Sequence, residues 1–126
     1  MKVLINFKKY NLENNNREIE TSFNANGIFQ DNMLKFIDDT KAINLITLKL
    51  DEIVVERKSD INTNMVFKKR KKTKFKMNAS FGALELDIYT NELIIDKESI
   101  YIYYNVLEDL NSYKTYELHI TFTPIK

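Results

Sequence analysis

The chain has 126 residues, 44% of them hydrophobic and 29% charged, with a net charge of +1. This length suits one domain that can bury roughly 65% of its unfolded surface and so build a core without staples. There is no cysteine, which excludes disulfides and thiolate metal sites, and a zinc site built around the single histidine would depend on carboxylates, an unusual donor set. The apolar start at Val3 is broken at Asn6, too soon for a signal-peptide core, and no small-residue cleavage site follows. No run approaches the ~20 apolar residues that a membrane helix needs. Lysine (16), asparagine (15) and isoleucine (15) dominate, and all three have AT-rich codons. These features together predict a soluble, cytoplasmic, bacterial protein with no cofactor and no membrane partner, a monomer or a homodimer.

In chain order, apolar and polar residues alternate with period two almost throughout. Side chains on a strand point to opposite faces at each step, so the pattern predicts walls with one apolar and one wet face. Val3, Ile5 and Phe7 mark a strand over 2–9, and Ile19, Thr21 and Phe23 mark one over 17–23. Asn26 and Gly27 are the strongest turn signal. The stretch 27–41 has apolar residues at 29, 33, 36 and 37 and could form a helix, but Leu34 and Phe36 favour a strand over 33–38. Further strands are predicted over 44–50, 52–58, 63–68, 73–79, 83–90, 99–107 and 113–122, many with the β-branched and aromatic residues that strands favour. The gaps at 13–16, 24–27, 59–62, 96–98 and 108–112 are rich in Asn, Asp, Ser and Lys, which turn a chain without glycine. A short turn fits 107–111. No linker, repeat or composition break divides the chain. The fold class expected is all-β: one domain over 1–126, an antiparallel meander of about 8–10 strands closed into a barrel to remove its edges, with little or no helix. A sandwich is the alternative.

Several short strings carry a resemblance. They are Thr-Leu-Lys-Leu at 47–50, Arg57 closing Ile-Val-Val-Glu-Arg, Met-Val-Phe at 65–67, Phe-Gly-Ala-Leu at 81–84 with Thr90 ending that strand, Ile-Tyr-Tyr-Asn-Val at 102–106 and Leu-His-Ile-Thr-Phe at 118–122. Phe-Ile-Asp-Asp at 36–39 is similar to a Tyr-x-Glu-Glu stretch. Together, from Leu45 to Phe122, they resemble the YwiB-like family of uncharacterised bacterial proteins. Two departures are Lys58, where that family often has glycine, and Phe36 in place of tyrosine. The resemblance implies a calycin-like, that is lipocalin-like, β-barrel and brings no established activity.

Projecting the alternation places four polar residues on the apolar face. Asp38 follows Leu34 and Phe36, Arg57 follows Ile53 and Val55, Thr90 follows Leu84, Leu86 and Ile88, and Tyr104 follows Ile100 and Ile102. A buried arginine keeps its proton and needs a carboxylate or several acceptors, and Asp38 is the acid in phase to supply one. Two readings stand: an internal strut, or a barrel pocket that orients a small polar or anionic molecule.

Residues 68–76 hold seven of the 19 basic residues and no acid: Lys68, Lys69, Arg70, Lys71, Lys72, Lys74 and Lys76. As a cationic hairpin tip they would contact phosphates, with Phe67 or Phe75 close by to stack on bases; as a solvated turn they would do nothing. His119 falls on the outer face beside Glu117 and Thr121 and lacks the partners that catalysis needs. Tyr101 and Tyr103 also fall outside, as a partner patch or as cross-strand packing. The acid pairs Asp38–Asp39, Asp51–Glu52 and Glu108–Asp109 face opposite ways on a strand and cannot share a substrate. The sequence therefore reads as a non-catalytic binding module with a small-molecule site inside the barrel. The alternative is a protein- or nucleic-acid-interaction module using the outer surface and the lysine-rich segment.

Overall fold

A computed structural model describes residues 1–13 and 16–125. Ten antiparallel strands run β1 (Lys2–Glu13), β2 (Asn16–Gln30), β3 (Met33–Ile37), β4 (Ile43–Lys49), β5 (Glu52–Lys58), β6 (Ile61–Lys68), β7 (Lys72–Ala79), β8 (Gly82–Ile95), β9 (Ser99–Leu107) and β10 (Tyr113–Pro124). Each pairs with its sequence neighbours, and β1 pairs with β10 to close the barrel. Closure leaves no strand edge without a partner. The expected turn at 13–16 includes Asn14 and Asn15, which lie outside the described residues, as does Lys126.

The stretch at 27–41 contains no helix, and the strand predicted there forms as β3. Three details differ from the sequence reading, each for a local reason. Asn26 and Gly27 do not turn the chain but continue β2. A Cβ on Gly27 would lie 2.5 Å from Ile5 Cδ1 and 2.7 Å from the Lys35 carbonyl oxygen, so glycine is there to let neighbouring strands approach. The turn comes later at Asp31 and Asn32, both at positive φ (54° and 61°), which matches a two-residue hairpin loop. A bulge between Lys9 and Tyr10 pairs Tyr10 with Ile19, and Ile19, expected inside, is 59% exposed. A second bulge between Thr90 and Glu92 lets β8 run on to Ile95 rather than end at Thr90, with Leu93 buried after the shift.

The two ends of the barrel differ. At the end where the chain begins, inward positions carry Val3, Ile5, Leu34, Ile46, Ile53, Ile88, Ile100, Ile102, Ile120 and Phe122, all buried and in one cluster. Phe29 and Phe122 meet at 4.9 Å between ring centroids and help to fill this end. Towards the other end, the same inward phase passes to Lys9, Thr21, Asn44, Arg57 and Thr63, which aliphatic packing cannot use. Those side chains leave the barrel open.

Candidate functional site: a cavity at the open end of the barrel

The site is built around the 38–42 turn between β3 and β4. Lys41 takes positive φ (72°), and the Asp38 and Ala42 backbones bond at 3.0 Å. This tight turn wraps its own amides around the Asp38 carboxylate. Oδ1 accepts from the Thr40 amide at 2.9 Å, the Thr40 hydroxyl at 2.6 Å and the Ala42 amide at 3.1 Å. Oδ2 accepts from Asn44 Nδ2 at 2.9 Å and from Arg57 Nε at 2.9 Å. Burial would raise this carboxyl, but the bonds from Thr40, Asn44, Arg57 and Ala42 outweigh it and hold the group well below the usual carboxylate range. Asp38 is therefore an ionised strut with every lone pair in use.

Arg57 reaches across from β5. Nε bonds Asp38, Nη2 bonds the Thr40 hydroxyl at 2.5 Å, and the side chain is 33% exposed. The guanidinium is thus fixed in one plane, while its Nη1 edge has no bond among the described residues. Below it lies a cavity of about 350 Å³, whose apolar wall includes Phe7, Phe23, Val55, Met65, Phe75 and Leu118. Phe7 and Phe23 stack at 4.8 Å, and Phe67 and Tyr104 meet edge to face at 4.8 Å on the floor. Burial pushes the Tyr104 phenol far above its ordinary value, so it stays neutral. The apolar wall continues past the mouth along β7 and β8, where Met77 pairs with Leu84, half-exposed, below an exposed Phe81.

Of the four inward polar residues read from the sequence, Asp38, Arg57 and Tyr104 line this one cavity. Thr90 does not. It is fully buried in the wall, its hydroxyl has no partner among the described residues, its carbonyl accepts from the Arg70 amide and its amide donates to the Lys71 carbonyl. Sequence reasoning missed Asn44, Thr40 and Lys9. Asn44 and Lys9 were within reach of the same rule, since Asn44 is in phase with Ile46, and Lys9 with Val3, Ile5 and Phe7. Lys9 lines the cavity with its Nζ 4.4 Å from the Tyr116 ring centroid and 3.7 Å from Glu20. Burial lowers its ammonium below the ordinary value, more than Glu20 restores it.

The lysine-rich segment lies at the other end. Residues 69–71 form the β6–β7 turn, with Arg70 at positive φ, and together with Leu50, Asp51, Glu52 and Lys68 they line an exterior hollow of about 590 Å³. Four of its bases are matched by acids: Lys68 with Glu52 at 3.4 Å, Lys69 with Glu92 at 3.0 Å, Lys72 with Asp87 at 3.9 Å and Lys74 with Asp87 at 2.6 Å. The aromatics expected beside it for stacking face the other way. Phe67 is fully buried and Phe75 lines the interior cavity.

On the outer face, Arg17 Nη2 donates to His119 Nε2 at 3.0 Å and Arg17 Nε pairs with Glu117 at 3.1 Å. Tyr101 donates its hydroxyl to Glu117. An arginine always donates, so His119 is held as the neutral Nδ1–H tautomer in a closed surface network. Among the described residues no group of three or more His, Asp or Glu side chains could hold a metal ion, and no helix is long and apolar enough to cross a membrane.

A family model described as a domain of unknown function, DUF1934, matches residues 5–120. The chain belongs to that family. The family's description names no function, so membership assigns no reaction. The crystal structure of the YwiB protein from Bacillus subtilis superimposes with a TM-score of 0.70, covering 99% of this chain and 92% of that one at 18% identity. At that identity the likeness speaks for the barrel alone, which agrees with the YwiB-like resemblance read from the short strings. No curated protein matches the chain.

Proposed function

We propose that this DUF1934 barrel is a non-catalytic binding protein that takes a small molecule into the cavity at its open end. The observation that carries the reading is the union of an apolar cavity of about 350 Å³ with one pre-oriented guanidinium on its rim. Ligand sites are typically concave and mostly apolar, with a few polar groups that fix orientation. Arg57 is such a group: Asp38 and Thr40 set its plane before any ligand arrives, so little side-chain entropy is lost on binding. Catalysis has no comparable support, because Asp38 is fully engaged in structure and His119 lies on the outer face.

The alternative, a protein- or nucleic-acid-interaction module using the outer surface and the lysine-rich residues 68–76, has less behind it. Lys68, Lys69, Lys72 and Lys74 already face acids, and the nearby aromatics point inward.

Native mass spectrometry of the purified protein, together with a thermal-shift screen of small polar and anionic compounds, tests the proposal. The expected result is a bound mass lost on denaturation, or compounds that raise the melting temperature, with both effects removed when Val55→Trp fills the cavity. Bare-chain masses, together with compounds acting equally on wild type and the filled variant, would overturn it.

A further inference from the structure

The mouth of the cavity carries a second cation whose charge the fold leaves under-compensated. Lys9 sits on β1 and Arg57 on β5, with β2, β3 and β4 between them on one side of the ring and five strands on the other. The two cations therefore face the mouth from nearly opposite walls. Each has an acid neighbour, but the neighbours differ in kind. Asp38 spends its oxygens on five donors and is locked in place. Glu20 lies 3.7 Å from the Lys9 ammonium, and its side chain is 42% exposed, a loose pair that an incoming oxyanion can replace at small cost. Lys9 itself is only 27% exposed and rests on the Tyr116 ring, so its charge has lost much of its water. A desolvated cation without full compensation favours an anion.

The shape sets the rest of the ligand. At roughly 30 Å³ per heavy-atom group, taking the volume of liquid water per molecule as the yardstick, the cavity holds roughly a dozen non-hydrogen atoms. Its wall is ringed by aromatic faces and edges, which complement a flat apolar body better than a branched one.

We propose that the cavity is built for a small aromatic monocarboxylate, its body against Phe7, Phe23 and Phe75 and its carboxylate at the mouth, where Arg57 Nη1 donates and Lys9 supplies the opposing positive charge. This rests on the cavity being a binding site, and the test separates the two statements. Isothermal titration calorimetry would compare 4-phenylbutyrate with its neutral amide on wild type, Lys9→Met and Arg57→Met, each variant first checked by its melting curve. The acid is expected to bind wild type roughly tenfold or more tightly than the amide, the scale of one charge-assisted hydrogen bond, with each variant erasing most of that preference while still binding the amide. Equal binding of acid and amide, unchanged in both variants, would overturn the carboxylate inference and leave the cavity reading intact. If neither compound bound wild type, the carboxylate inference would fall too, and Val55→Trp in the broader screen would then decide the cavity reading separately. Lys9→Arg is expected to keep the preference; if it lost it as fully as Lys9→Met, the loss would trace to packing on Tyr116 and the charge assignment would be wrong.

Discussion

Asp38 shows how one residue can be legible in a sequence while most of its role is not. Phase with Leu34 and Phe36 placed it inside, and the need of a buried arginine for a carboxylate joined it to Arg57. The three bonds from Thr40 and Ala42 depend on the turn at 38–42, whose shape no periodicity encodes. The same turn makes a prediction. Asp38→Asn keeps the volume but removes the charge that five donors address, and is expected to cost about 1–3 kcal/mol at neutral pH. The folded state holds this carboxyl below its ordinary value of 3.8, so its contribution is present above that pH and fades as the pH falls below it. Urea denaturation from pH 7 down to pH 3 is expected to show a steeper loss of stability in wild type than in Asp38→Asn. Parallel curves would mean that Asp38 is not the anchored carboxylate described.

At the scale of the strand, position and order were readable because alternation in half-buried strands is strong. Each of the ten strands overlaps a run that the period-two pattern marks, although β2 and β8 continue past their expected ends, and the choice of strand over helix at 33–38 follows from Leu34 and Phe36. Two of the misreadings share one cause. A bulge inserts a residue and reverses the phase, so Ile19 and the continuation of β8 past Thr90 were hidden from any rule that assumes strict alternation. Gly27 was misread for a different reason: a glycine can mark a turn or a close approach, and only the neighbouring strands tell which. That role is testable. Gly27→Ala would press a methyl against the Lys35 carbonyl oxygen and Ile5, and is expected to destabilise the protein by about 1–3 kcal/mol. Adding Ile5→Val is expected to return only part of the loss, because the carbonyl remains. Melting curves for the single and double variants decide it, and an unperturbed single variant would contradict the packing described.

At the scale of the molecule, the barrel is asymmetric along its axis. One end is closed by aliphatic and aromatic side chains, while at the other the inward positions turn to Lys, Arg, Asn and Thr and enclose a cavity. The barrel was legible in the sequence; the asymmetry was not, since it emerges only when inward positions from ten strands are set side by side. The lysine-rich segment makes the same point. As a string it is a block of positive charge, but in the fold Glu52, Asp87 and Glu92 come from neighbouring strands to meet it. The four methionines report on this asymmetry, with Met65 in the cavity wall, Met77 beyond its mouth, and Met1 and Met33 towards the closed end. Xenon enters apolar cavities regardless of ligand chemistry. The most direct measurement is therefore 13C-methyl NMR of the methionines under xenon pressure. The expected result is a saturable shift at Met65 with Met1 and Met33 unmoved; a silent Met65, or a shift centred on Met33, would contradict the open-ended barrel.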